Sequence, residues 1–316
     1  MGRNLGVATA AVVASAVLAG WLTVNAVDDD VPTAPAAQTE TGPSPPPAPP
    51  APSVTPAPAD VPLAPLAAPD PRPLDPQAGQ QAQQAARQRV SGAELGVEVF
   101  DRTTGAVVAG ADTDQKFPCM SVVKLFIAVD VLDRAPGGVP DPDTADRLRR
   151  MLSTSDDAVA SAFWSSEGGP ELINRTVDRL GLTTTSPPPR NPSEWGDVLT
   201  SPQDMVTLYR HITDQMPQPS RDLVVDALAH TSRTASDGFD QFFGIPSGLD
   251  GLPWAVKQGW GTSGGEAAMA STGLVGPDSR YVVVLLGKGS AGSYRSLTSG
   301  VTAAAESLAG PLGAPQ

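Results

Sequence analysis

Residues 32–76 consist largely of Pro and Ala with scattered Ser, Thr and Asp, as in TGPSPPPAPPAPSVTPAPADVPLAPLAAPDPRP, and this run constrains the fold more than any other feature of the chain. Proline has a fixed φ and no backbone N–H, so a stretch this rich in it joins neither a helix interior nor a sheet ladder. With few large apolar side chains it cannot bury a core, and it favours extended polyproline II. Residues 31–76 are therefore expected to form a disordered stalk, and folding is confined to a domain over residues 77–316.

Ahead of the stalk lies a nearly uncharged run over residues 5–27, with Arg3 before it and Asp28, Asp29 and Asp30 after it. It is long enough to span a bilayer, and the charge bias places the N-terminus in the cytoplasm and everything downstream outside. Residues 1–30 read as a signal peptide or a transmembrane anchor. Val24, Asn25 and Ala26 offer the small residues of a cleavage site, while the apolar run exceeds most signal cores. Trp21 follows Leu18, Ala19 and Gly20 where a lipoprotein would require cysteine, so no lipid is expected there. The expected location is extracytoplasmic, in a bacterial cell envelope, with membrane contact through the N-terminal segment where it is uncleaved.

A net charge of −13 with no basic stripe argues against nucleic acid as a partner. The single Cys119 rules out an internal disulfide, and a monomer is expected. His211 and His230 are isolated from carboxylates at ligand spacing, so neither a metal nor another cofactor is expected.

Within the folded part, Ala- and Gln-rich residues 76–90 have high helix propensity and lead into the alternating strand pattern of residues 95–101. A turn at residues 102–105 and an apolar run at 106–109 complete a hairpin. Residues 121–132 (SVVKLFIAVDVL) are apolar throughout and fit a buried helix. Further helices are expected at 143–151, 156–164, 170–180, 202–213 and 221–230, strands at 254–258, 267–275 and 281–286, and a closing helix at 293–308. This order predicts an α+β fold: one antiparallel β-sheet flanked by N- and C-terminal helices, plus an all-helical subdomain.

A serine hydroxyl is a poor nucleophile until a base takes its proton, and on a helix a side chain three residues on shares its face. Ser121 and Lys124 have that spacing, in a setting apolar enough to desolvate the lysine. Ser-x-x-Lys alone is common, and its bland reading is a capping serine beside a surface lysine. Two further stretches change its weight: Ser155, Asp156 and Asp157 after Met151, and Lys257, Gln258, Gly259 and Trp260 at the head of the late strands.

Taken in this order, the set resembles the family of class A β-lactamases and penicillin-binding proteins, with their Ser-x-x-Lys, Ser-Asp-Asn and Lys-Thr-Gly motifs. The resemblance covers about residues 80–308. It implies Ser121 as the acylated nucleophile, Lys124 as its base or proton shuttle, Ser155 as the hydroxyl that passes a proton to the leaving amine, and Lys257 as the strand lysine that orders that hydroxyl and attracts the substrate carboxylate. It further implies an oxyanion hole from the backbone N–H of Ser121 and of Trp260 or Gly261. Substrate contacts are expected from Asp157, Gln258, Gly259 and Trp260, and the four catalytic side chains should meet in one cleft between helices and sheet.

The departures are specific. Asp157 stands where the family has Asn, and a carboxylate accepts where an amide donates. Gln258 replaces a threonine. The loop over residues 181–201 lacks the Glu-x-x-Leu-Asn pattern that activates a deacylating water, leaving Glu194 and Asp197 as the only acids. The expected function is an extracytoplasmic penicillin-recognising serine hydrolase that forms an acyl-enzyme at Ser121 and acts on a β-lactam or a cell-wall-peptide-like amide or ester. The alternative is a catalytically impaired envelope protein of the same fold that binds peptidoglycan or a partner. A third reading, a Pro-rich adhesin or scaffold, leaves the ordered Ser/Lys/Ser/Lys set unexplained.

Overall fold

The computed structural model describes residues 77–313. The apolar segment over residues 5–27 and the Pro-rich run lie outside the described residues. Among the described residues no helix is long and apolar enough to cross a membrane.

The elements follow in the order α1 (Ala78–Arg89), β1 (Glu94–Asp101), β2 (Ala106–Ala111), β3 (Phe117–Pro118), α2 (Val123–Asp133), α3 (Pro142–Ser153), α4 (Asp157–Ser166), α5 (Pro170–Leu180), β4 (Leu199–Thr200), α6 (Pro202–Arg210), α7 (Gln218–Ala229), α8 (Ile245–Gly248), β5 (Trp254–Ser263), β6 (Glu266–Val275), β7 (Tyr281–Ser290) and α9 (Tyr294–Leu312). Five strands form one antiparallel sheet in the order β2-β1-β7-β6-β5, which leaves β5 at an edge. The fold is α+β, as the order of sequence patterns predicts.

The central strand β7 shows how the layers arise. Its side chains alternate between faces, and both faces are covered, so nearly every position is apolar. Val283 and Leu285 pack with Ala82, Ala86, Val301 and Ala304 of the terminal helices α1 and α9. Val282, Val284 and Leu286 pack instead with the helical subdomain around α2. That helix is apolar all round because it is surrounded: Leu125, Phe126 and Ile127 have no exposed surface. Each such side chain contributes about 1.5–3 kcal/mol on burial. Asp130, equally buried, is held by Arg175 of α5 through Nε at 2.9 Å and Nη2 at 2.6 Å, an ion pair that fixes α5 against α2.

The structure extends several expected elements. Strands β5 and β7 run on to Ser263 and Ser290, past the expected ends at 258 and 286, through Gly259, Gly261, Gly287 and Gly289. Glycine weakens a strand pattern, yet here it permits close approach. A Cβ on Gly259 would lie 2.8 Å from the Cys119 carbonyl oxygen, and one on Gly261 would lie 2.5 Å from Met120 Sδ. The helix expected over 202–213 closes as a π-helical turn at His211–Gln215. The β3–β4 pair and the single turn α8 have no counterpart in the sequence pattern.

Candidate active site

The Ser121 turn is tied down before α2 begins. Phe117 and Pro118 pair with Thr200 and Leu199, and Cys119 N–H donates to Val198 O at 2.7 Å. Met120 takes a left-handed φ of 48°, turning the chain into the short 3-10 segment Met120–Val122 from which α2 continues. The edge strand β5 runs directly against this turn, which is why glycine stands at 259 and 261.

Lys124, on the next helical turn, donates from Nζ to Ser121 Oγ at 2.8 Å, to Ser155 Oγ and O at 3.0 Å each, and to Asp157 Oδ1 at 2.5 Å. Ser155 lies between the end of α3 and the start of α4, with a left-handed φ of 55°. It is held there by the Asp156 cap of α4, whose carboxylate accepts from Val159 N–H at 3.0 Å. From β5, Lys257 Nζ donates to Ser155 Oγ at 3.0 Å and to Gln258 O at 3.0 Å. Three parts of the chain thus bring Ser121, Lys124, Ser155 and Lys257 together where the helical subdomain meets the sheet edge.

Neither lysine has any exposed surface. Burial pushes Lys124 below the ordinary lysine range, partly offset by the Asp157 carboxylate that favours its charge. Burial pushes Lys257 well below that range, and the positive charge of Lys124 adds to the effect. A desolvated amine in contact with a hydroxyl is able to take its proton.

The four expected substrate-contact residues are placed differently from one another. Asp157 lines the cleft beside Lys124, and Trp260 lines it from β5 with its indole N–H donating to Asp237 Oδ2 at 3.0 Å. Gly259 packs beneath the Ser121 turn. Gln258 does not face the cleft: it is fully buried, and Nε2 donates to Gln241 O at 2.9 Å and Phe243 O at 2.6 Å. Its expected contact with substrate through the side chain is corrected on this ground, since both amide hydrogens are used inside the domain.

In the loop between α5 and α6, Glu194 is exposed, with Oε1 accepting from Asn191 Nδ2 at 3.4 Å, and Asp197 is bound by Arg190 at 3.6 Å. The side chain this loop brings to Lys124 is Trp195, whose ring centre lies 4.9 Å from Nζ. Sequence reasoning missed Trp195, along with Asp237, Phe239 and Tyr294, which also line the cleft of about 730 Å³. Phe239 stacks on Trp260 with ring centres 4.7 Å apart. The available signal was the presence of Trp195 and Phe239 in polar, glycine-containing loops.

Other candidates fall elsewhere. Of the three arginines whose guanidinium could meet a substrate carboxylate, Arg233 pairs with Asp240, Arg280 pairs with Asp101, and neither these nor Arg295 line the cleft. His211 binds the Asp133 carboxylate at 2.9 Å and His230 is exposed at a helix end. Cys119 is fully buried, and burial raises its thiol well above the ordinary range. Among the described residues no group of His, Cys, Asp and Glu converges as metal ligands.

The fold is shared with solved structures of PBP-A and of class A β-lactamases. A variant of PBP-A, solved as an acyl-enzyme complex with penicillin G, is 22% identical with a TM-score of 0.60, covering 77% of this chain and 98% of that one. An ancestral class A β-lactamase is 21% identical with a TM-score of 0.59, covering 73% and 98%. In sequence, the "Putative lipoprotein LppW" of Mycobacterium tuberculosis is 39% identical over 200 residues, and this chain spans 63% of that relative's length. The pattern of the Beta-lactamase enzyme family matches residues 139–308, a stretch that contains Ser155 and Lys257 and begins after Ser121 and Lys124. On that match, the chain belongs to the β-lactamase enzyme family.

Proposed function

We propose that the protein is a serine hydrolase acylated at Ser121, acting on a β-lactam or on an amide or ester resembling a cell-wall peptide. The observation that carries this reading is the 2.8 Å contact between Ser121 Oγ and a fully buried lysine whose ionisation burial disfavours. Lys124 Nζ takes the hydroxyl proton as Oγ attacks the substrate carbonyl, and the developing oxyanion is met by the N–H of Ser121 and of Trp260 or Gly261. The C–N or C–O bond then breaks as Ser155 Oγ delivers its proton to the leaving group and takes in its place, across the 3.0 Å contact, the proton that Lys124 Nζ received from Ser121, with Lys257 orienting that hydroxyl. Water releases the acyl group as a carboxylic acid and restores the Ser121 hydroxyl.

The fold likeness to a penicillin-acylated protein supports the substrate class. The proposed organisation is an N-terminal signal or anchor over residues 1–30, a stalk over 31–76 and the hydrolase domain beyond it. Such a chain would present a monomeric enzyme outside the cytoplasmic membrane, where cell-wall peptides are found. A relative named as a lipoprotein is consistent with an envelope location, although here Trp21 follows the Leu-Ala-Gly run where lipid attachment needs cysteine. A fluorophosphonate probe and labelled penicillin, with mass spectrometry of the Ser121 peptide, test the reading: the adduct should map to Ser121 and vanish in Ser121→Ala. Labelling at another residue would refute it.

One observation favours the second reading, a fold kept for binding peptidoglycan or a partner. The Asp157 carboxylate sits 2.5 Å from the would-be base, where it holds a proton on the amine. An absence of acylation by every ester and β-lactam, in folded protein, would favour it.

A further inference from the structure

The turn that carries Ser155 is gripped by one further segment, residues 232–241, which lies between α7 and α8. The last carbonyls of a helix have no helical donor, and this segment supplies donors to three carbonyls in a row at the end of α3. Ser153 O accepts from Ser232 N–H at 3.0 Å and from Gln241 Nε2 at 3.1 Å, Thr154 O from Ser236 N–H at 2.8 Å, and Ser155 O from Ser236 Oγ at 3.3 Å. Ser155 keeps a φ of 55°, a conformation that a residue with a Cβ holds only where its surroundings impose it. Relaxation of that φ would swing Ser155 Oγ away from Lys124 Nζ and Lys257 Nζ, each 3.0 Å from it.

The grip is tied in turn to the strand that bears Lys257. Gln258, fully buried beside that lysine on β5, donates from Nε2 to Gln241 O and Phe243 O. Gln241, equally buried, donates from its own Nε2 to Ser232 O at 2.8 Å as well as to Ser153 O. Neither side-chain carbonyl oxygen, Gln241 Oε1 or Gln258 Oε1, has a protein donor. A buried acceptor left unpaired costs stability, which an apolar side chain of similar volume would avoid. What an apolar side chain could not supply is the Nε2 donors.

We propose that Gln241 and Ser236 are positioning residues for proton delivery to the leaving group. Through the carbonyls of residues 153–155 they hold the Ser155 hydroxyl between the two lysines, and Gln258 fixes them to the strand of Lys257. The inference rests on the acyl-serine reading and gives its proton-transfer step a support that lies outside the cleft lining.

Two esters of one acyl group test it on the full chain, with acylation of Ser121 followed by intact mass: an alkyl ester, whose alkoxide needs a proton to leave, and a nitrophenyl ester, whose phenolate leaves unaided. In Gln241→Leu the alkyl ester should lose roughly tenfold or more in rate relative to the nitrophenyl ester, since misplacing a reacting group by about 1 Å costs on the order of 10²-fold. Ser236→Ala deletes one hydroxyl from an exposed residue and should show the same bias at smaller size; it carries the test where Gln241→Leu does not fold. Adding either substitution to Ser155→Ala should slow the alkyl ester no further, because a support that acts through a hydroxyl has nothing to hold once the hydroxyl is gone. Equal losses with both esters, or effects that multiply in the double variant, overturn the inference and leave the acyl-serine reading standing. If the wild type is acylated by neither ester, that reading falls instead. In that case, and where only the nitrophenyl ester reacts, positioning is read from crystal structures of the two variants. Ser155 should leave its left-handed φ and its Oγ should lose contact with at least one lysine; an Oγ still bonded to both overturns the inference.

Discussion

Asp157 Oδ1 lies 2.5 Å from Lys124 Nζ, so the amine in contact with Ser121 shares its charge with a carboxylate whose own side chain is 58% exposed. Burial and Asp157 act on the lysine in opposite directions: burial favours the neutral amine, and the carboxylate favours the ammonium. Asp157→Asn removes the second effect alone. The lysine of the variant should lose its proton at lower pH, so the rising limb of acylation rate against pH moves to lower pH and the rate at neutral pH increases. A limb that stays in place or moves to higher pH would show that Lys124 does not supply the base.

Lys124→Met separates function from stability. The lysine occupies a site with no solvent contact, which costs desolvation of its charged form, and methionine fills similar space without that cost. Asp157 is left with solvent to hydrate it. Acylation should fall by about 10²–10⁴, the usual value of a positioned base. The melting temperature should hold or rise, as expected where a functional group has been kept at the expense of stability. A large drop in melting temperature would assign Lys124 a structural role.

The fold was legible because its buried elements are long apolar runs bounded by turn residues. The unbroken apolar runs of β7 and α2 reflect a strand covered on both faces and a helix enclosed on all sides. The positions of Ser121, Lys124, Ser155 and Lys257 were legible through their motifs. Gln258 was not, because a motif gives sequence neighbours and not side-chain direction: next to Lys257 on a strand, it points to the opposite face and is consumed by Gln241 and Phe243. Trp195, Asp237 and Phe239 escaped for a related reason. They reach the cleft from irregular loops with no period, so only their three-dimensional placement shows what they line.

Gly259→Ala tests the contact between the edge strand and the Ser121 turn. The added Cβ would meet the Cys119 carbonyl at 2.8 Å, a backbone atom held in turn by the Cys119 N–H bond to Val198 O, so neither partner yields easily. The strand must move away from Ser121, widening the gap between the two N–H groups proposed to bind the oxyanion. Acylation should fall by about 10²–10³, the usual effect of losing one such donor. Near-wild-type circular dichroism would accompany this loss, and acylation at the wild-type rate would refute the proposed hole.

Turnover of the acyl-enzyme is the last expectation, and it follows from what the loop between α5 and α6 places at the site. A deacylating water needs a base within hydrogen-bond reach of both it and the ester, which assists by about 10²–10⁴. Glu194 is exposed and engaged with Asn191, Asp197 is bound to Arg190, and the position over Lys124 is filled by the Trp195 ring. An acyl group from a β-lactam on Ser121 should therefore persist, and its hydrolysis should be unchanged in Glu194→Gln and in Asp197→Asn. Single-turnover reactions followed by intact mass provide the measurement. Rapid loss of the adduct in wild type, abolished in either variant, would identify that carboxylate as the water-activating base and mark the protein as an efficient β-lactamase. Slow loss in all three proteins would leave the acyl-enzyme available to an amine acceptor, the behaviour of a peptide-processing enzyme.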